Sequence, residues 1–302
     1  MSHSPRTFVD AHWAFQRYQQ VRPRLPQMGR PGKAEHRADL GELAGQFDVF
    51  VFDSFGVLNV GGAPIEGAAR RIAHLRALGK EVLVLTNAAT DPLASLPAKY
   101  ARLGFDFTAS EIISSRGVLA AQLKNRPVEG PWWAVAPPSS ALDEFDVPVL
   151  HAAPPEGAGG IILLSAQTLT DVMLAELTEA LKVRPVPLLV GNPDLVAPRE
   201  EGFSLEPGAA AHQLADEIGV VPEFFGKPFG NAFDAVVERL AARAVRARIA
   251  MVGDTLHTDI LGGSAAGFGT VLVSDHGVLQ GLDIPAAMAE SGIYPDFIVP
   301  HI

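Results

Sequence analysis

The feature of this sequence that most limits its fold is an alternation of short aliphatic runs with helix-like stretches from residue 48 onward. Strands are predicted at residues 48–53 and 81–86, and between them apolar positions recur at three- and four-residue steps over 65–78. The alternation returns late in the chain, with strands predicted at 248–254 and 269–274. Near-continuous apolar strands joined by helices are typical of a parallel sheet that is covered on both faces. We therefore expect an α/β fold built on a doubly wound, Rossmann-like parallel sheet.

A stretch richer in proline separates the two alternating blocks and carries short apolar runs of its own. The candidate strands of this stretch are residues 132–136, 160–164 and 187–190. Because both of its ends return to the same edge of the predicted sheet, it would form a second α/β domain, a cap over that edge. We predict a core domain over residues 47–116 and 223–302 and an inserted cap domain over 117–222.

The N-terminal segment, residues 1–46, lies outside the alternating pattern and has the opposite charge. Residues 1–37 contain seven Arg and Lys against two Asp and Glu, whereas the whole chain of 302 residues has a formal charge of −10. Apolar positions near helical spacing predict one short helix, which the following prolines end. We expect a basic extension that packs on the acidic body of the protein or on a partner subunit. A targeting presequence or a tether to a polyanion is the alternative.

Composition excludes several classes of function. An excess of 34 Asp and Glu over 24 Lys and Arg argues against a general nucleic-acid-binding role. The absence of cysteine excludes disulfides, thiolate nucleophiles and iron–sulfur ligation. No apolar run approaches the ~18 residues that a membrane span needs, and no signal-peptide pattern is present. We expect a cytoplasmic protein without a membrane partner, and the sequence leaves homo-oligomer formation open.

Polar residues end three of the predicted strands: Asp53, the pair Thr86-Asn87, and Asp254. Ligands of open parallel sheets gather at the carboxyl ends of the strands, so these side chains are the first candidates for a functional site. Gly56, shortly after Asp53, allows the backbone to turn back sharply. Two carboxylates at one sheet edge repel each other unless a cation lies between them, and a hard oxygen site of this kind suits Mg²⁺.

A phosphate monoester would complement such a magnesium site. The Thr86 hydroxyl and the Asn87 amide can donate hydrogen bonds to phosphate oxygens, and Lys227 can supply a fixed ammonium for developing charge. Asp53 can then attack phosphorus as a carboxylate nucleophile and form an aspartyl-phosphate. Each element alone also fits a turn or a helix cap. The ordered set of Asp, Thr-Asn, insertion, Lys and Gly-Asp is much more specific.

This ordered set resembles the haloacid dehalogenase superfamily of phosphohydrolases, in the class IIA branch whose large cap is inserted between the second and third motifs. The matching segments are Asp53-Ser-Phe-Gly-Val-Leu58, Thr86-Asn87, Gly226-Lys227-Pro228 and Gly253-Asp254-Thr-Leu-His-Thr-Asp259. The match covers about residues 47 to 280, and Gly191-Asn192-Pro193-Asp194 is similar to the returning segment of the cap in this branch. The pattern is most similar to predicted sugar phosphatases.

The resemblance implies a role for each matching position. Asp53 would be the nucleophile and a metal ligand, Asp254 a metal ligand, and Asp259 would hold the outer shell of the metal. The backbone carbonyl of Phe55 would be the remaining protein ligand to Mg²⁺. The residues that would hold the transferring phosphoryl group are Thr86, Asn87 and Lys227. Asn192 and Asp194 lie where cap residues can reach substrate, and a role in a turn is the alternative.

One position departs from the pattern of the family. Phosphatases of this superfamily usually carry a second Asp two residues after the nucleophile, which protonates the leaving alkoxide and then activates water; here that position is Phe55. General acid–base catalysis typically contributes about 10²–10⁴-fold, so we expect lower turnover. His257, three residues after Asp254, is a candidate substitute because its ordinary pKa is near neutrality. The alternative is that His257 lines the entrance and contacts the cap or the substrate.

The sequence therefore predicts a Mg²⁺-dependent phosphohydrolase of small phosphorylated metabolites, with a sugar phosphate favoured. A phosphate-ligand-binding protein in which Phe55 has abolished turnover is the second hypothesis. The third is a different phosphoryl or carbon–halogen reaction that needs no acid for the leaving group.

Overall fold

The computed structural model describes residues 8–151, 157–200, 202–244 and 248–302. Its strands are β1 Phe8–Val9, β2 Glu35–His36, β3 Val49–Phe52, β4 Asn59–Val60, β5 Ala63–Pro64, β6 Glu81–Thr86, β7 Ile112–Ser114, β8 Trp132–Val135, β9 Val149–His151, β10 Gly160–Leu163, β11 Leu188–Val190, β12 Val196–Arg199, β13 Gly202–Leu205, β14 Glu223–Phe224, β15 Ile249–Gly253, β16 Gly269–Val273 and β17 Phe297–Val299. Its α-helices are α1 Ala11–Val21, α2 Ala68–Ala77, α3 Leu96–Arg102, α4 Ser115–Leu123, α5 Asp171–Val183, α6 Pro207–Ile218, α7 Gly230–Leu240, α8 Leu261–Ala265 and α9 Ile284–Ser291. Among these residues, no helix has both the length and the apolar character that a membrane crossing requires.

The core is a seven-stranded sheet in the order β2-β17-β16-β15-β3-β6-β7, and every neighbouring pair is parallel. The chain runs from β3 outward through β6 to β7, and it later returns to β15 and continues outward on the other side. The strand order therefore reverses between β3 and β15, which is where ligands bind in folds of this type. This topology confirms the predicted doubly wound sheet.

Apolar helix faces cover both sides of the core sheet. On one side, α2 buries Ile72 and Leu75, and the chain turns after it at Gly79, whose φ is +73°. On the other side, α7 buries Phe233 and Val236. The two apolar clusters alternate along the sheet strands, since Phe50 and Phe52 belong to one cluster and Val49 and Val51 to the other. Burial on both faces explains why these strands are apolar throughout.

The cap has its own five-stranded parallel sheet, in the order β14-β11-β10-β8-β9. Helices α5 and α6 pack on it through an apolar cluster. The predicted cap limits of 117 and 222 differ slightly from this arrangement. Residue 117 lies inside α4, which packs with α7 of the core, and β14 pairs with β11 of the cap. The chain therefore leaves the core after α4 and returns after β14.

The N-terminal extension joins the cap to the core, and we call its residues 8–37 the strap. Its β1 pairs antiparallel with β13 of the cap, and its β2 extends the core sheet beside β17. Between these strands, α1 buries Phe15, Tyr18 and Val21 in a cluster with core residues. The predicted packing of the basic extension on the acidic body is thus found within one chain.

Candidate active site

The first motif forms a tight loop at the switch point of the sheet. Asp53 directly follows β3, and its Oδ1 accepts a hydrogen bond from the Ser54 N–H at 2.6 Å. Gly56 has a φ of +82°, and a Cβ atom at this position would lie 2.6 Å from Cγ of Asp254. The loop after β3 therefore packs directly against the loop after β15, and only glycine permits that approach.

The fourth motif places two further carboxylates beside Asp53. Asp254 directly follows β15; its Oδ2 accepts from the Val278 N–H at 2.7 Å and its Oδ1 from the Thr255 hydroxyl at 3.1 Å. Asp259 lies on a π-helical turn, Leu256–Ile260, and its Oδ2 accepts from the Thr255 N–H at 3.1 Å. Both carboxylates are thus held in fixed orientations by groups of their own loop and of the 276–282 loop.

Lys227 links these loops electrostatically. Its Nζ lies 2.6 Å from Oδ1 of Asp53 and 2.7 Å from Oδ1 of Asp259, and its side chain is only 1% exposed. Burial alone lowers the pKa of Lys227, but Asp259 and Asp53 outweigh this effect and raise it, so the ammonium stays charged. Burial raises the pKa of Asp53 to about 6, although the charge of Lys227 opposes that rise. The site therefore combines a fixed cation with a carboxylate of increased basicity.

The three carboxylates also fit a magnesium ion. Asp53, Asp254 and Asp259 each offer one oxygen, and these oxygens lie within 4.8 Å of one another. Hard oxygen ligands of this kind are those that Mg²⁺ prefers. Gly277 lies against Asp254, since a Cβ atom there would be 2.1 Å from Oδ2. The predicted part of the Phe55 carbonyl in this site stays a prediction.

The second motif is brought to the same edge, but its asparagine differs from the predicted role. The Asn87 Nδ2 donates to the Lys227 carbonyl at 2.9 Å and to Oδ1 of Asp194 at 2.8 Å, while Oδ1 accepts from the Lys227 N–H at 2.8 Å. Both amide hydrogens are thus used within the protein. The side chain of Asn87 fixes the Lys227 loop rather than presenting free donors to phosphate. The Thr86 hydroxyl, which accepts from the Ala88 N–H, remains a predicted phosphate contact.

The returning segment of the cap brings Asp194 to this edge of the core. The Asn87 side chain links it to the Lys227 loop, because the same Asn87 amide group donates to Oδ1 of Asp194 and to the Lys227 carbonyl. Asn192 instead closes a turn, because its Oδ1 accepts from the Asp194 N–H and its Nδ2 donates to Glu206. These bonds fit the alternative turn role, and the predicted substrate contact of Asn192 stays a prediction.

Phe55 occupies the place of the expected second carboxyl and contacts cations on its ring. The Arg199 guanidinium of the cap lies 5.0 Å from the ring centroid, and the Lys99 ammonium of the core lies 5.7 Å from it. Both distances are within the range of cation–π attraction. Phe55 thus contributes a contact between cap and core instead of a titratable group.

The structure contradicts the predicted catalytic role of His257. Its Nε2 lies 2.7 Å from Oε1 of Gln19, and its ring stacks on Tyr18 and meets the edge of Phe15. Burial lowers the pKa of His257 to about 3. Because the π-helical turn directs Asp259 toward Lys227, His257 faces the strap instead.

Two residues near the site have no signal in the motifs. The Tyr18 hydroxyl of the strap accepts a hydrogen bond from the Leu195 N–H, next to Asp194, at 3.2 Å. A contact between residues 177 positions apart leaves no local pattern in the sequence. Gly277 lies four residues after the end of β16, and this position of a glycine just beyond a strand end is the signal in the sequence that could have indicated it.

Comparison with known proteins agrees with this geometry. A family model described as haloacid dehalogenase-like hydrolase matches residues 50–145, and a second, HAD-hydrolase-like model matches residues 224–302. The chain is 29% identical over 291 residues to the glycerol-3-phosphate phosphatase of Homo sapiens, covering 86% of this chain and 90% of that protein.

Solved structures share the fold over most of the chain. One is a possible sugar phosphatase of the HAD superfamily from Cytophaga hutchinsonii, with a TM-score of 0.76, 26% identity, and coverage of 89% of this chain and 98% of that chain. Another is a glycerol phosphate phosphatase from Mycobacterium tuberculosis in complex with magnesium, with a TM-score of 0.63, 23% identity, and coverage of 84% and 80%. The solved structures show the shared fold, and the two family models, which together span more than half of the sequence, identify this chain as a member of the haloacid dehalogenase-like hydrolases, in the branch with an α/β cap between the second and third motifs.

Proposed function

We propose that this protein is a Mg²⁺-dependent phosphohydrolase of small phosphorylated metabolites that works through an aspartyl-phosphate, with a sugar phosphate as the favoured substrate. The observation that supports this most directly is the position of Asp53, whose carboxylate contacts the Lys227 ammonium and also belongs to the cluster of three acidic side chains. A nucleophile, a fixed cation and an oxygen-rich metal site then meet at one sheet edge.

The side chains divide the chemistry among them. When bound, Mg²⁺ would neutralise charge on the phosphoryl oxygens and reduce their repulsion with the carboxylates. Asp53 attacks phosphorus with the oxygen that Lys227 leaves free, and the Lys227 ammonium stabilises the negative charge that develops. The buried positions of Lys227, Thr86 and Asp254 exclude bulk water from the reacting groups.

An open groove of about 1060 Å³ beside this site offers room for the leaving group. Its walls are residues 9–13 of the strap, the β12–β13 hairpin of the cap and the 276–282 loop of the core. The groove borders the site at two points, because Gly277 contacts Asp254 and Arg199 contacts Phe55. Its size suits a small metabolite. The names of the similar proteins, a glycerol-3-phosphate phosphatase and a possible sugar phosphatase, support the same substrate class.

The test is phosphate release from a panel of sugar phosphates, glycerol phosphate, nucleotides and phosphoglycolate, with and without Mg²⁺. Asp53→Asn is compared with Asp48→Asn. Asp48 lies at the other end of the same strand, and its carboxylate binds Arg248 on the surface. We expect Mg²⁺-dependent release that Asp53→Asn abolishes and Asp48→Asn retains. Full activity of Asp53→Asn would refute the covalent mechanism.

Phe55 supports a second candidate, a protein that binds a phosphorylated metabolite and hydrolyses it slowly or not at all. The three carboxylates and Lys227 can bind metal and phosphate without a second carboxyl at position 55. Calorimetric binding of one metabolite in the presence of Mg²⁺, without phosphate release over hours, would favour this candidate over the phosphatase.

A further inference from the structure

The loss of the usual carboxyl at Phe55 leaves the proposed phosphatase without an evident proton donor for the leaving group. Resting on the proposed function, catalysis then requires another side chain to supply this proton. An acid must carry a proton on an atom that is free to reach the substrate. The carboxyl oxygens of the site differ in whether they are free in this way.

The two carboxylates of the fourth motif have no free oxygen. Both oxygens of Asp254 accept hydrogen bonds, from the Thr255 hydroxyl and the Val278 N–H. Both oxygens of Asp259 are also bound, one by Lys227 and one by the Thr255 N–H. These two carboxylates therefore have no unpaired oxygen that could carry a proton to the substrate, and they remain acceptors and metal ligands.

Asp53 and Asp194 are different, because each has one oxygen bound and one oxygen unpaired within the described part of the chain. For Asp53, Ser54 and Lys227 bind Oδ1 and leave Oδ2 for attack on phosphorus. For Asp194, Asn87 binds Oδ1 at 2.8 Å and leaves Oδ2 without a partner among the described residues. The site thus presents two carboxyl groups with free oxygens, one from the core and one from the cap.

The backbone around Asp194 is held by three separate hydrogen bonds. The Asp194 N–H donates to Oδ1 of Asn192 at 3.0 Å, and its carbonyl accepts from the Gly208 N–H at 3.1 Å. The next N–H, of Leu195, donates to the Tyr18 hydroxyl of the strap at 3.2 Å. A carboxyl fixed by cap, core and strap together meets the requirement of a preorganised catalytic group.

Burial of Asp194 favours its protonated form. Burial raises the pKa of Asp194 well above its ordinary range; the Lys227 ammonium opposes this, and Asp53 and Asp259 reinforce it. Asn87 donates to Oδ1, which a protonated carboxyl can still accept while Oδ2 carries the hydrogen.

Three other titratable groups nearby have fixed partners. His257 is bound to Gln19 under the strap, and Lys227 lies between two carboxylates. The Tyr100 hydroxyl donates to Ser54 at 3.0 Å. None of these three groups offers a free acidic hydrogen to a leaving oxygen.

We propose that Asp194, a cap residue, takes the part of the general acid and base that Phe55 no longer provides. In the first step an Asp53 oxygen bonds to phosphorus, the bond from phosphorus to the ester oxygen breaks, and that oxygen keeps the electron pair and takes the proton of Asp194. In the second step the Asp194 carboxylate takes a proton from water as the water oxygen bonds to phosphorus. The aspartyl bond then breaks, and phosphate leaves with Asp53 ionised and Asp194 protonated again.

The test compares Asp194→Asn with the wild type on two esters that differ in their need for an acid. An alkyl phosphate such as glycerol 3-phosphate has a strongly basic leaving group, whereas 4-nitrophenyl phosphate releases a weakly basic phenolate. Asn keeps the oxygen that accepts from Asn87, and Asp171→Asn on the exposed start of α5 is the matched control. We expect the rate of Asp53 phosphorylation by the alkyl phosphate to fall by about 10²–10⁴-fold. With the nitrophenyl ester we expect phosphorylation to change little and the aspartyl-phosphate to accumulate, which intact-protein mass spectrometry would detect.

The pH profile gives an independent reading. An acid works only while protonated, so alkyl phosphate turnover of the wild type should fall as pH rises, and Asp194→Asn should lose this limb. If the Asn variant does not fold, Asp194→Glu retains a carboxyl at a changed position and should slow Asp53 phosphorylation by the alkyl phosphate selectively. An equal loss in the rate of Asp53 phosphorylation by the two esters, or no loss with either, would overturn the assignment of Asp194 while leaving the phosphatase intact. Absence of hydrolysis of both esters by the wild type would refute the proposed function itself.

Discussion

Two regions of the molecule meet at the site: the loops that carry Asp53, Lys227 and Asp254, and the strap. Different forces hold these two regions in place. In the loops, Lys227, Asp254 and Asp259 are at most 2% exposed, and each is fixed by ion pairs or hydrogen bonds. The strap is held by an apolar helix face, and its ion pairs to Asp216 of the cap are partly exposed. Buried charges require particular partners, whereas apolar packing tolerates many sequences. The loops therefore carry the chemistry, and the strap sets how cap and core are joined.

Replacing Lys227, the buried cation of the loops, should have the largest effect on the free energy of unfolding. Lys227→Met leaves Asp53 and Asp259 buried beside each other without a counter-charge, so we expect a loss of about 3–5 kcal/mol in unfolding free energy. Urea denaturation without Mg²⁺ measures it. Lys182→Met, which removes an exposed ion pair with Glu179, is the control and should cost less than about 1 kcal/mol. Similar losses in the two variants would mean that the loops are not electrostatically special.

The metal site of the loops can be disturbed without changing any charge. Gly277→Ala places a Cβ atom 2.1 Å from Oδ2 of Asp254, so this carboxylate must move. Saturation with Mg²⁺ at a hundred times its Kd should stabilise the wild type by about 2.7 kcal/mol, and we expect Gly277→Ala to lose most of this gain. Thermal unfolding over a Mg²⁺ titration measures it. Gly45→Ala is the control, since apart from its chain neighbours no atom lies within 4 Å of the added carbon. If Gly277→Ala kept the full stabilisation by Mg²⁺, the proposed metal site would be contradicted.

The contact between strap and loops should make stability sensitive to acid. Burial lowers the pKa of His257 to about 3 in the folded state, against an ordinary value of about 6.5 in the unfolded chain. Between these values the unfolded state binds a proton that the folded state does not, so this contribution to stability falls as pH falls. The wild type should lose about 2 kcal/mol more than His257→Gln between pH 7 and 5. Urea midpoints at each pH measure the difference, and the exposed His301→Gln should follow the wild type.

His257 also shows how far the sequence could predict this molecule. The positions of Asp53, Thr86 and Asp254 at one edge were predictable, because parallel strands bring their carboxyl ends together. The direction in which His257 faces was not predictable, because Leu256–Ile260 forms a π-helical turn, and such a turn shifts the angular positions of its side chains.

Long-range contacts account for the rest. The approach of Tyr18 to Leu195 depends on how the strap crosses two domains, and no local periodicity encodes it. The use of both Asn87 amide hydrogens follows from the docking of Asp194 from the cap. Residue types at strand ends thus predicted which chemistry is present, and tertiary packing decided which of those groups remain free.

Tyr18→Phe tests whether the strap positions the loops or only covers them. The change keeps the ring stacked on His257 but removes the acceptor of the buried Leu195 N–H, so we expect a loss of about 1 kcal/mol. If the strap positions Asp194, the variant should also slow Asp53 phosphorylation by alkyl phosphates more than by 4-nitrophenyl phosphate. Parallel urea and single-turnover measurements check both effects. A loss of stability with unchanged kinetics would restrict the strap to a structural role.

The smallest effect is expected for the charged contacts of the strap. Arg24 lies 2.6 Å from Oδ1 of Asp216, but both side chains are more than a third exposed, and Arg17 binds the other oxygen of the same carboxylate. Exposed ion pairs contribute about 0–1 kcal/mol and are screened by salt, so Arg24→Gln should cost less than about 0.5 kcal/mol at physiological ionic strength. A double-mutant cycle with Asp216→Asn, repeated at high salt, isolates the pair. A coupling energy well above this value that persists in salt would show that the strap, like the loops, depends on its charges, and the contrast between the two regions would fail.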